Sequence, residues 1–131
     1  MTTKQIAAGI IIHNGKVLLA QRMKGKDLEF KWELPGGKLE EGETLQQCLE
    51  RELIEELNLK VKVGSLFISS EHSYEFGEIV LNAFIAHCDN PFISKTDAHE
   101  QYVWADPSSL LDYDLAPADI PIVQAYINSL S

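Results

Sequence analysis

The sequence predicts an α/β fold in which a mixed central sheet lies between two helical layers. Two observations indicate it: apolar runs of strand length occur before and after one internal helix, and a second amphipathic helix closes the chain. The length of 131 residues and the hydrophobic fraction of 45% predict a single globular domain over residues 1–131. No internal repeat, low-complexity segment or linker divides the sequence.

The chain opens with a predicted β-hairpin. Residues 5–12 and 16–20 are apolar runs on either side of Asn14-Gly15, a dipeptide typical of two-residue hairpin turns. The first run is too short, and too soon followed by this turn, for a signal peptide, and no run is long enough to span a bilayer. A polar loop over residues 23–31 and a short strand over residues 32–34 follow.

An internal helix is predicted over residues 44–58. Thr44, with Gln47 three positions later, has the form of a capping box, and Asn58 tolerates the left-handed conformation common just past a helix end. Apolar residues recur through the helix at helical spacing, which predicts that they face a core. They are Leu45, Cys48, Leu49, Leu53 and Leu57.

The second half of the chain alternates strands with loops. Predicted strands cover residues 61–70 with 71–74 as a continuation, residues 79–87 after a turn at Phe76-Gly77, and residues 102–104; residues 107–111 form one helical turn. A helix over residues 120–130 ends the chain. Its predicted core side consists of Ile122, Val123, Tyr126, Ile127 and Leu130.

The glutamates of the internal helix are placed unusually. Glu52, Glu55 and Glu56 lie within an arc of roughly 100° that overlaps one border of the apolar stripe. Like charges at this spacing destabilise a helix, and partial burial raises the penalty. A divalent cation such as Mg²⁺, which takes oxygen ligands, offsets both effects. The alternative is an ordinary solvated acidic helix.

The segment around these glutamates resembles a known signature. Residues 36–59 read GGKLEEGETLQQCLERELIEELNL. From Gly37 onward the segment resembles the Nudix box, G-x5-E-x7-R-E-U-x-E-E-x-G-U with U aliphatic. Asn58 stands where the pattern has its last glycine, a mild departure because both residues suit a left-handed helix end. The resemblance, to MutT-type members of the Nudix hydrolase family, extends over nearly the whole chain and implies an α/β/α sandwich.

The resemblance implies divalent-metal chemistry at this segment. In Nudix enzymes the glutamates of the box and a backbone carbonyl near its start hold the metal, here expected to be Mg²⁺ with Mn²⁺ as a substitute. The implied ligands are Glu52, Glu55 and Glu56, with the backbone of Gly36 and Gly37 nearby. The glycine pair considered alone is typical of a turn. Either Glu55 or Glu56 could also act as the general base.

Two further residues complete the implied catalytic set. Arg51 is expected to orient the acidic helix through an ion pair, with Glu43 either as its partner or as a support for the loop. Such a pair is equally typical of a protein surface, where it is worth under about 1 kcal/mol. Glu100 precedes the strand at 102–104, where the family places a metal-binding or general-base glutamate. The alternative for Glu100 is a solvated loop side chain.

Arg22 and Glu33 are the first two predicted substrate-binding residues. Arg22 follows the second strand and resembles the arginine that MutT-type enzymes place against phosphates or base; a guanidinium group can bind two phosphate oxygens. The alternative is a solvated strand end. Glu33 alternates outward from Trp32 and Leu34, which places it on the opposite face of its strand and suggests that it lines the nucleotide pocket.

Asp119 is the third predicted substrate-binding residue. The segment LAPADIP over residues 115–121 resembles one found in bacterial CTP pyrophosphohydrolases of the family. MutT-type relatives carry an asparagine at this place and use it to hydrogen-bond the base. An ionised aspartate only accepts hydrogen bonds and so favours an exocyclic amine, whereas a protonated one could also bind an oxidised guanine. Asp119 also has the form of a helix N-cap, with Pro121 in the first turn.

Composition excludes several other classes of partner and site. The net charge of −9 argues against a nucleic-acid polymer or an anionic membrane, because both need a basic patch. Cys48 and Cys88 have no zinc or redox spacing and indicate a reduced, cytoplasmic protein. The four histidines lack metal-binding spacing and are predicted to be surface or strand residues. Trp32 and Trp104 are predicted core residues, whereas Phe30 could reach over a base from its loop.

The residues and the resemblance together predict a Mg²⁺-dependent nucleoside triphosphate pyrophosphohydrolase, active as a monomer or homodimer. Expected substrates are CTP or dCTP and modified nucleotides such as 5-methyl-dCTP or 8-oxo-dGTP, attacked at the β-phosphorus to give monophosphate and pyrophosphate. Their removal would protect the nucleotide pool used for DNA synthesis. The alternatives are hydrolysis of nucleotide sugars or dinucleoside polyphosphates, and a non-catalytic module that senses nucleotides, against which the intact box glutamates argue.

Overall fold

The computed structural model describes residues 3–130, so Met1, Thr2 and Ser131 of the predicted domain lie outside the described residues. A mixed sheet and two α-helices make up the described fold, which confirms the predicted α/β class. The strands are β1 (Lys4–His13), β2 (Lys16–Gln21), β3 (Trp32–Glu33), β4 (Gly36–Lys38), β5 (Lys62–Tyr74), β6 (Gly77–His87) and β7 (Gln101–Ala105). The helices are α1 (Leu45–Leu57), a 3₁₀ helix (Pro107–Asp112) and α2 (Ile120–Ser129).

The central sheet has strand order β3-β2-β1-β6-β5, with β4 also paired to β1 and β7 to β2. β1 and β6 run parallel in a register that extends from the Lys4↔Ile79 pair to the Ile12↔His87 pair. The other described pairs are antiparallel. Because β1 pairs with β6, strands separated by more than 60 residues along the chain lie side by side in one sheet.

The two helices cover opposite faces of the sheet, because residues alternate between faces along a strand. One face packs on α1 through a cluster that includes Ala7, Ile11, Leu49, Leu53 and Leu57. The other face packs on α2, and its cluster includes Ala8, Ile10, Leu19, Ile122 and Val123. This arrangement is the predicted α/β/α sandwich. In residues 3–130 no helix is both long enough and apolar enough to cross a membrane.

Local signals set the ends of α1. The Thr44 side chain accepts from the Gln47 backbone N–H, the Gln47 side chain accepts from the Thr44 backbone N–H, and Asn58 has φ 50° with its N–H donating to the Ile54 carbonyl. The predicted capping box and left-handed end are therefore confirmed. Of the predicted apolar stripe, only Leu45 is half-buried and not buried, since it lies in the first turn.

One prediction about elements is wrong: Leu130 was expected on the core side of α2 but is 55% exposed, because it follows the last residue of the helix. The Gly36-Gly37 pair, which considered alone is typical of a turn, belongs to the short strand β4, with Gly36 opposite Ala8 on β1. A Cβ at Gly36 would lie 2.8 Å from the carbonyl carbon of Ala7, so only glycine allows this approach.

Candidate active site

The described residues form a cavity of about 660 Å³. This volume is in the range of small-molecule sites. Several separate parts of the chain line it: β3 and β4, α1, the hairpin of β5 and β6, residues 97–99 and residues 116–119. Predicted site residues that reach the cavity are Arg22, Glu33, Gly36, Gly37, Glu52, Glu56 and Asp119.

The carboxyl group of Glu52 lies directly against the backbone of Gly37. A Cβ atom at Gly37 would be 2.5 Å from Glu52 Oε2, closer than real Cβ atoms come to any heavy atom. The glycine therefore leaves room for a carboxylate against the β4 backbone. Mg²⁺ takes carboxylate and backbone carbonyl oxygens as ligands, so donors of these kinds fit the metal that the resemblance implies.

Glu56, one turn from Glu52 on α1, is the most strongly perturbed acid of the helix. Burial raises the pKa of Glu56 to about 7, opposed by His99 and reinforced by the carboxylates of Glu52 and Glu33. Burial also raises the pKa of Glu52, against the lowering effect of Arg51. Acids with raised pKa values in a cavity suit either a bound cation or a general base near neutral pH.

Arg51 holds the acidic residues around it together. Its Nη2 donates to Glu43 Oε1 at 2.8 Å, and its Nη1 lies 3.0 Å from both Glu52 Oε1 and Glu55 Oε2. Hydrogen bonds from Arg51 and from the Glu40 backbone N–H lower the pKa of Glu43 to about 2. The structure thus places Arg51 against Glu43, the partner that the resemblance implied.

Glu55 does not reach the cavity. Its side chain is 56% exposed and is turned toward Arg51 one helical turn away. Among residues 3–130 no three carboxylate, imidazole or thiol side chains converge closely enough to hold a cation. The sequence predicts that a bound cation offsets the repulsion between the helix glutamates. In the structure the charge of Arg51, which lies between Glu52 and Glu55, offsets the repulsion between these two carboxylates. The set of metal ligands remains a prediction.

Glu100 also lies away from the cavity. Its side chain is exposed, and Oε2 accepts a hydrogen bond of 3.0 Å from the backbone N–H of Lys24. The cavity is lined instead by the residues just before it, Asp97, Ala98 and His99. The metal or base function of Glu100 remains a prediction that the described geometry does not favour.

His99 is a cavity residue that sequence reasoning missed. Its side chain is buried, so the prediction of a surface or strand position is wrong for this histidine. Nε2 lies 3.2 Å from Glu33 Oε2, and the other oxygen of Glu33 accepts from Arg22 Nη1 at 3.0 Å. The three side chains form one connected group at the cavity. A histidine in an irregular polar loop gives no sequence signal for such a contact.

Asp119 is buried, and its side chain does not cap α2. Its backbone is helical, at φ −81° and ψ −25°, and its Oδ1 accepts from the Leu34 backbone N–H at 3.0 Å. Asp119 is therefore the N-cap residue of α2, as predicted, but its side chain makes no capping hydrogen bond, because the carboxyl group binds the Leu34 N–H at the end of β3. Burial, reinforced by the charge of Glu33, raises the pKa of Asp119 to about 8.

Aromatic residues of the β5–β6 hairpin form part of the cavity wall. Tyr74 and Phe76 stack with ring centroids 4.9 Å apart, and the Tyr74 hydroxyl accepts from the Ala118 backbone N–H. Phe30, which was expected to reach over a base, is not among the lining residues. Trp32, predicted to be a core residue, is half-buried: it packs edge-on against Tyr113 and lies at the margin of the core next to α2.

Comparison with known proteins settles the family. Residues 3–126 match the model of the NUDIX domain. The chain belongs to the NUDIX family. The resemblance read from the box is confirmed, and this NUDIX chain is a hydrolase of that family.

Relatives of this NUDIX chain match it along nearly their whole length. It is 39% identical to the CTP pyrophosphohydrolase of Escherichia coli over 125 residues, covering 94% of this chain and 90% of that protein. It is 35% identical to the putative 8-oxo-dGTP diphosphatase 2 of Mycobacterium tuberculosis over 122 residues, covering 91% and 84%. The solution structure of the E. coli ORF135 protein superposes with a TM-score of 0.84 at 36% identity, covering 100% of this chain and 93% of that one.

Proposed function

We propose that this NUDIX hydrolase cleaves nucleoside triphosphates to a monophosphate and pyrophosphate. The observation that supports it most is that two kinds of group line one cavity: the half-buried acids Glu52 and Glu56, with Glu52 against the Gly37 backbone, and the buried carboxyl group of Asp119. The first set suits a phosphate chain with its metal, and the second suits a base. Relatives named as a CTP pyrophosphohydrolase and an 8-oxo-dGTP diphosphatase support the same reaction class.

The proposed cofactor is Mg²⁺, for which Mn²⁺ can substitute. Glu52 and Glu56, with the β4 backbone at Gly36 and Gly37, would hold it, and Glu55 joins them if Arg51 releases it. When bound, the ion neutralises phosphate charge and promotes ionisation of water. In the metal-free protein the pKa of Glu56 is about 7, a range suited to a group that takes a proton from water. Glu55 and Glu100 are the other proposed bases.

Asp119 is proposed to select the base. With a pKa of about 8, its carboxyl group is largely protonated at pH 7, so it can donate one hydrogen bond from its hydroxyl and accept others. Oδ1 is held by the Leu34 N–H, which fixes the plane of the group. Such a carboxyl group can pair with cytosine, which offers an amine and ring acceptors, or with an oxidised guanine. We therefore propose CTP, dCTP, 5-methyl-dCTP and 8-oxo-dGTP as the substrates to compare.

The proposed role is removal of modified nucleotides from the pool used for DNA synthesis, in the cytoplasm. Cys48 and Cys88 are both free and buried, as expected of a reduced compartment. A state of monomer or homodimer remains a prediction.

A substrate panel tests the proposal. The purified protein is incubated with canonical, methylated and oxidised triphosphates, with and without Mg²⁺, in water enriched in ¹⁸O. Monophosphate and pyrophosphate are expected, with the label in pyrophosphate because water attacks the β-phosphorus. Release of inorganic phosphate alone, or turnover only with nucleotide sugars or dinucleoside polyphosphates, contradicts the reaction. Label in the monophosphate contradicts the site of attack.

A further inference from the structure

Ala20 lies between two polar residues on neighbouring strands. In the sheet it is directly opposite Glu33 on β3 and directly opposite Tyr102 on β7. Residues paired in this way project to the same face, here the face covered by α1. Neighbouring strands are about 4.8 Å apart, so the two backbones are separated by roughly 10 Å. The small, fully buried Ala20 leaves a space above it between the Glu33 and Tyr102 side chains.

His99 bridges that space. Its Nε2 lies 3.2 Å from Glu33 Oε2, and its Nδ1 lies 2.9 Å from the Tyr102 hydroxyl. The rings of His99 and Tyr102 also meet edge to face at 5.2 Å. Each ring nitrogen has one partner, and only 7% of the histidine is exposed. Both the position and the orientation of the imidazole are therefore fixed by side chains from two strands.

The contacts also define where the imidazole proton lies. An ionised carboxylate only accepts hydrogen bonds, so Nε2 must carry the hydrogen that faces Glu33. In the neutral ring Nδ1 is then an acceptor, and the Tyr102 hydroxyl donates to it. Glu33 thus selects the Nε2–H tautomer, and the Tyr102 hydroxyl, which donates to Nδ1, fixes the orientation of the ring.

Glu33 connects His99 to Arg22, which lines the cavity. Its second oxygen accepts from Arg22 Nη1 at 3.0 Å, and Arg22 Nε also donates to the Asp27 carbonyl at 2.6 Å. Arg22 is thus held at two points while its side chain still lines the cavity. An arginine held in place before binding loses less conformational entropy when it binds a phosphate.

We propose that Tyr102 and His99 are positioning residues, which hold Glu33 and through it Arg22 in the orientation that meets the substrate. The proposal rests on the proposed function, because it takes Arg22 to bind the triphosphate. Tyr102 fixes the orientation of the His99 ring, His99 orients the Glu33 carboxylate, and that carboxylate orients the guanidinium group. Since Arg22 contacts the substrate before and during the reaction, the relay acts on binding more than on the chemical step.

Removing one hydroxyl group tests the relay. Tyr102→Phe should raise KM for CTP about 3- to 10-fold and leave kcat within about 2-fold. The reason is that the weakened interaction binds the substrate equally in the ground state and in the transition state. Tyr126→Phe is the matched control: it removes a hydroxyl from a buried tyrosine on α2, on the opposite face of the sheet, and should leave both constants unchanged. An unchanged KM in Tyr102→Phe, or an equal effect in the control, overturns the proposal.

Two further comparisons separate positioning from general damage. His99→Gln keeps an N–H donor near the place of Nε2 and should stay closer to wild type in KM than His99→Leu, which has none. In a Glu33→Ala background, Tyr102→Phe should have no further effect on KM, because the relay is already interrupted. Equal losses in the two His99 variants, or a full additional loss in the double variant, contradict the relay.

A spectroscopic measurement tests the relay without substrate. The ¹⁵N shifts of the His99 ring, assigned by their loss in His99→Gln, should show the Nε2–H tautomer at pH 8.5 in the wild type and in Tyr102→Phe. The Nδ1 signal should shift in Tyr102→Phe because its hydrogen-bond donor is lost. The Nδ1–H tautomer in the wild type, or an Nδ1 signal unchanged in Tyr102→Phe, overturns the proposal. If the wild type turns over no triphosphate, the proposed function fails, while the tautomer result still decides the relay.

Discussion

Glu52 on α1 lies so close to Gly37 on β4 that a Cβ on the glycine would come within 2.5 Å of the carboxylate oxygen Oε2. The two residues belong to different elements, and α1 is fixed against the sheet by its buried leucines. The absence of a side chain at Gly37 therefore allows the Glu52 carboxyl group of α1 to lie against the β4 backbone.

Gly37→Ala should lower kcat/KM by at least about 100-fold, because the added methyl group displaces the Glu52 carboxylate, and displacements of about 1 Å in a site can have this effect. The fold should persist, since the displaced group is the end of a flexible side chain. Steady-state kinetics and thermal unfolding measure the two effects. Gly15→Ala is the control: Gly15 has φ +76° with open space around it, so it should lose stability without losing activity. Similar activity in both variants would show that the contact is unimportant.

Glu56→Gln should remove most turnover, by about 100-fold or more, and leave the fold intact. The amide can neither take a proton nor balance a cation, yet it has nearly the same shape. Because Glu56 is more than half buried with a pKa near 7, the variant should be no less stable than wild type at pH 8. Chemical denaturation and turnover are measured on the same samples. Near wild-type rates would refute a catalytic function for Glu56.

Asp119→Asn should flatten the pH dependence of stability in the metal-free protein. The pKa of Asp119 rises from its ordinary 3.8 to about 8 on folding, so the folded state binds more protons between these values. The contribution of Asp119 to the free energy of unfolding is therefore largest below pH 4 and decreases as the pH rises toward 8. Asparagine keeps an oxygen for the Leu34 N–H but does not titrate. Unfolding free energies at pH 5 and pH 8.5 should differ less in the variant; an identical slope would contradict a buried neutral acid.

Asp119→Ala should change the ranking of bases and spare the release of pyrophosphate. The substitution removes the only carboxyl group of the 116–119 segment that lines the cavity, but leaves the acids of α1 in place. Relative kcat/KM values for CTP, 8-oxo-dGTP and canonical purine triphosphates measure the effect. A uniform loss across all bases, or a loss of folding alone, would show that Asp119 only supports the end of β3.

Arg51 and Glu43 should be strongly coupled in a double-mutant cycle. Arg51→Ala releases Glu52 and Glu55 as well as Glu43, so it should lower kcat more than Glu43→Gln does, and the double variant should resemble Arg51→Ala. Thr44→Ala is the matched control on the same helix, because it removes the N-cap at a cost of about 1 kcal/mol in stability with little effect on kcat. Independent, additive effects of the Arg51 and Glu43 substitutions would contradict the network.

The sequence by itself determined the parts of this protein that are encoded by neighbours along the chain. The limits of α1 follow from Thr44, Gln47 and Asn58, which act within one helical turn of the groups that they satisfy. The spacing of the box identified the family, and helical periodicity placed Leu49 and Leu53 in the core. Strand alternation placed Glu33 on the face opposite Trp32 and Leu34.

Only the tertiary structure decided which of these side chains meet. The Asp119 side chain could have accepted a hydrogen bond from the first turn of its own helix. It accepts instead from the N–H of Leu34, 85 positions earlier in the chain. The acids of α1 were expected to need a cation, yet Arg51 was near enough to pair with two of them. His99 lies between Glu33 and Tyr102 because both strands pair with β2 at Ala20. Such contacts depend on strand register and packing between distant segments, and periodicity within one segment carries no information about them.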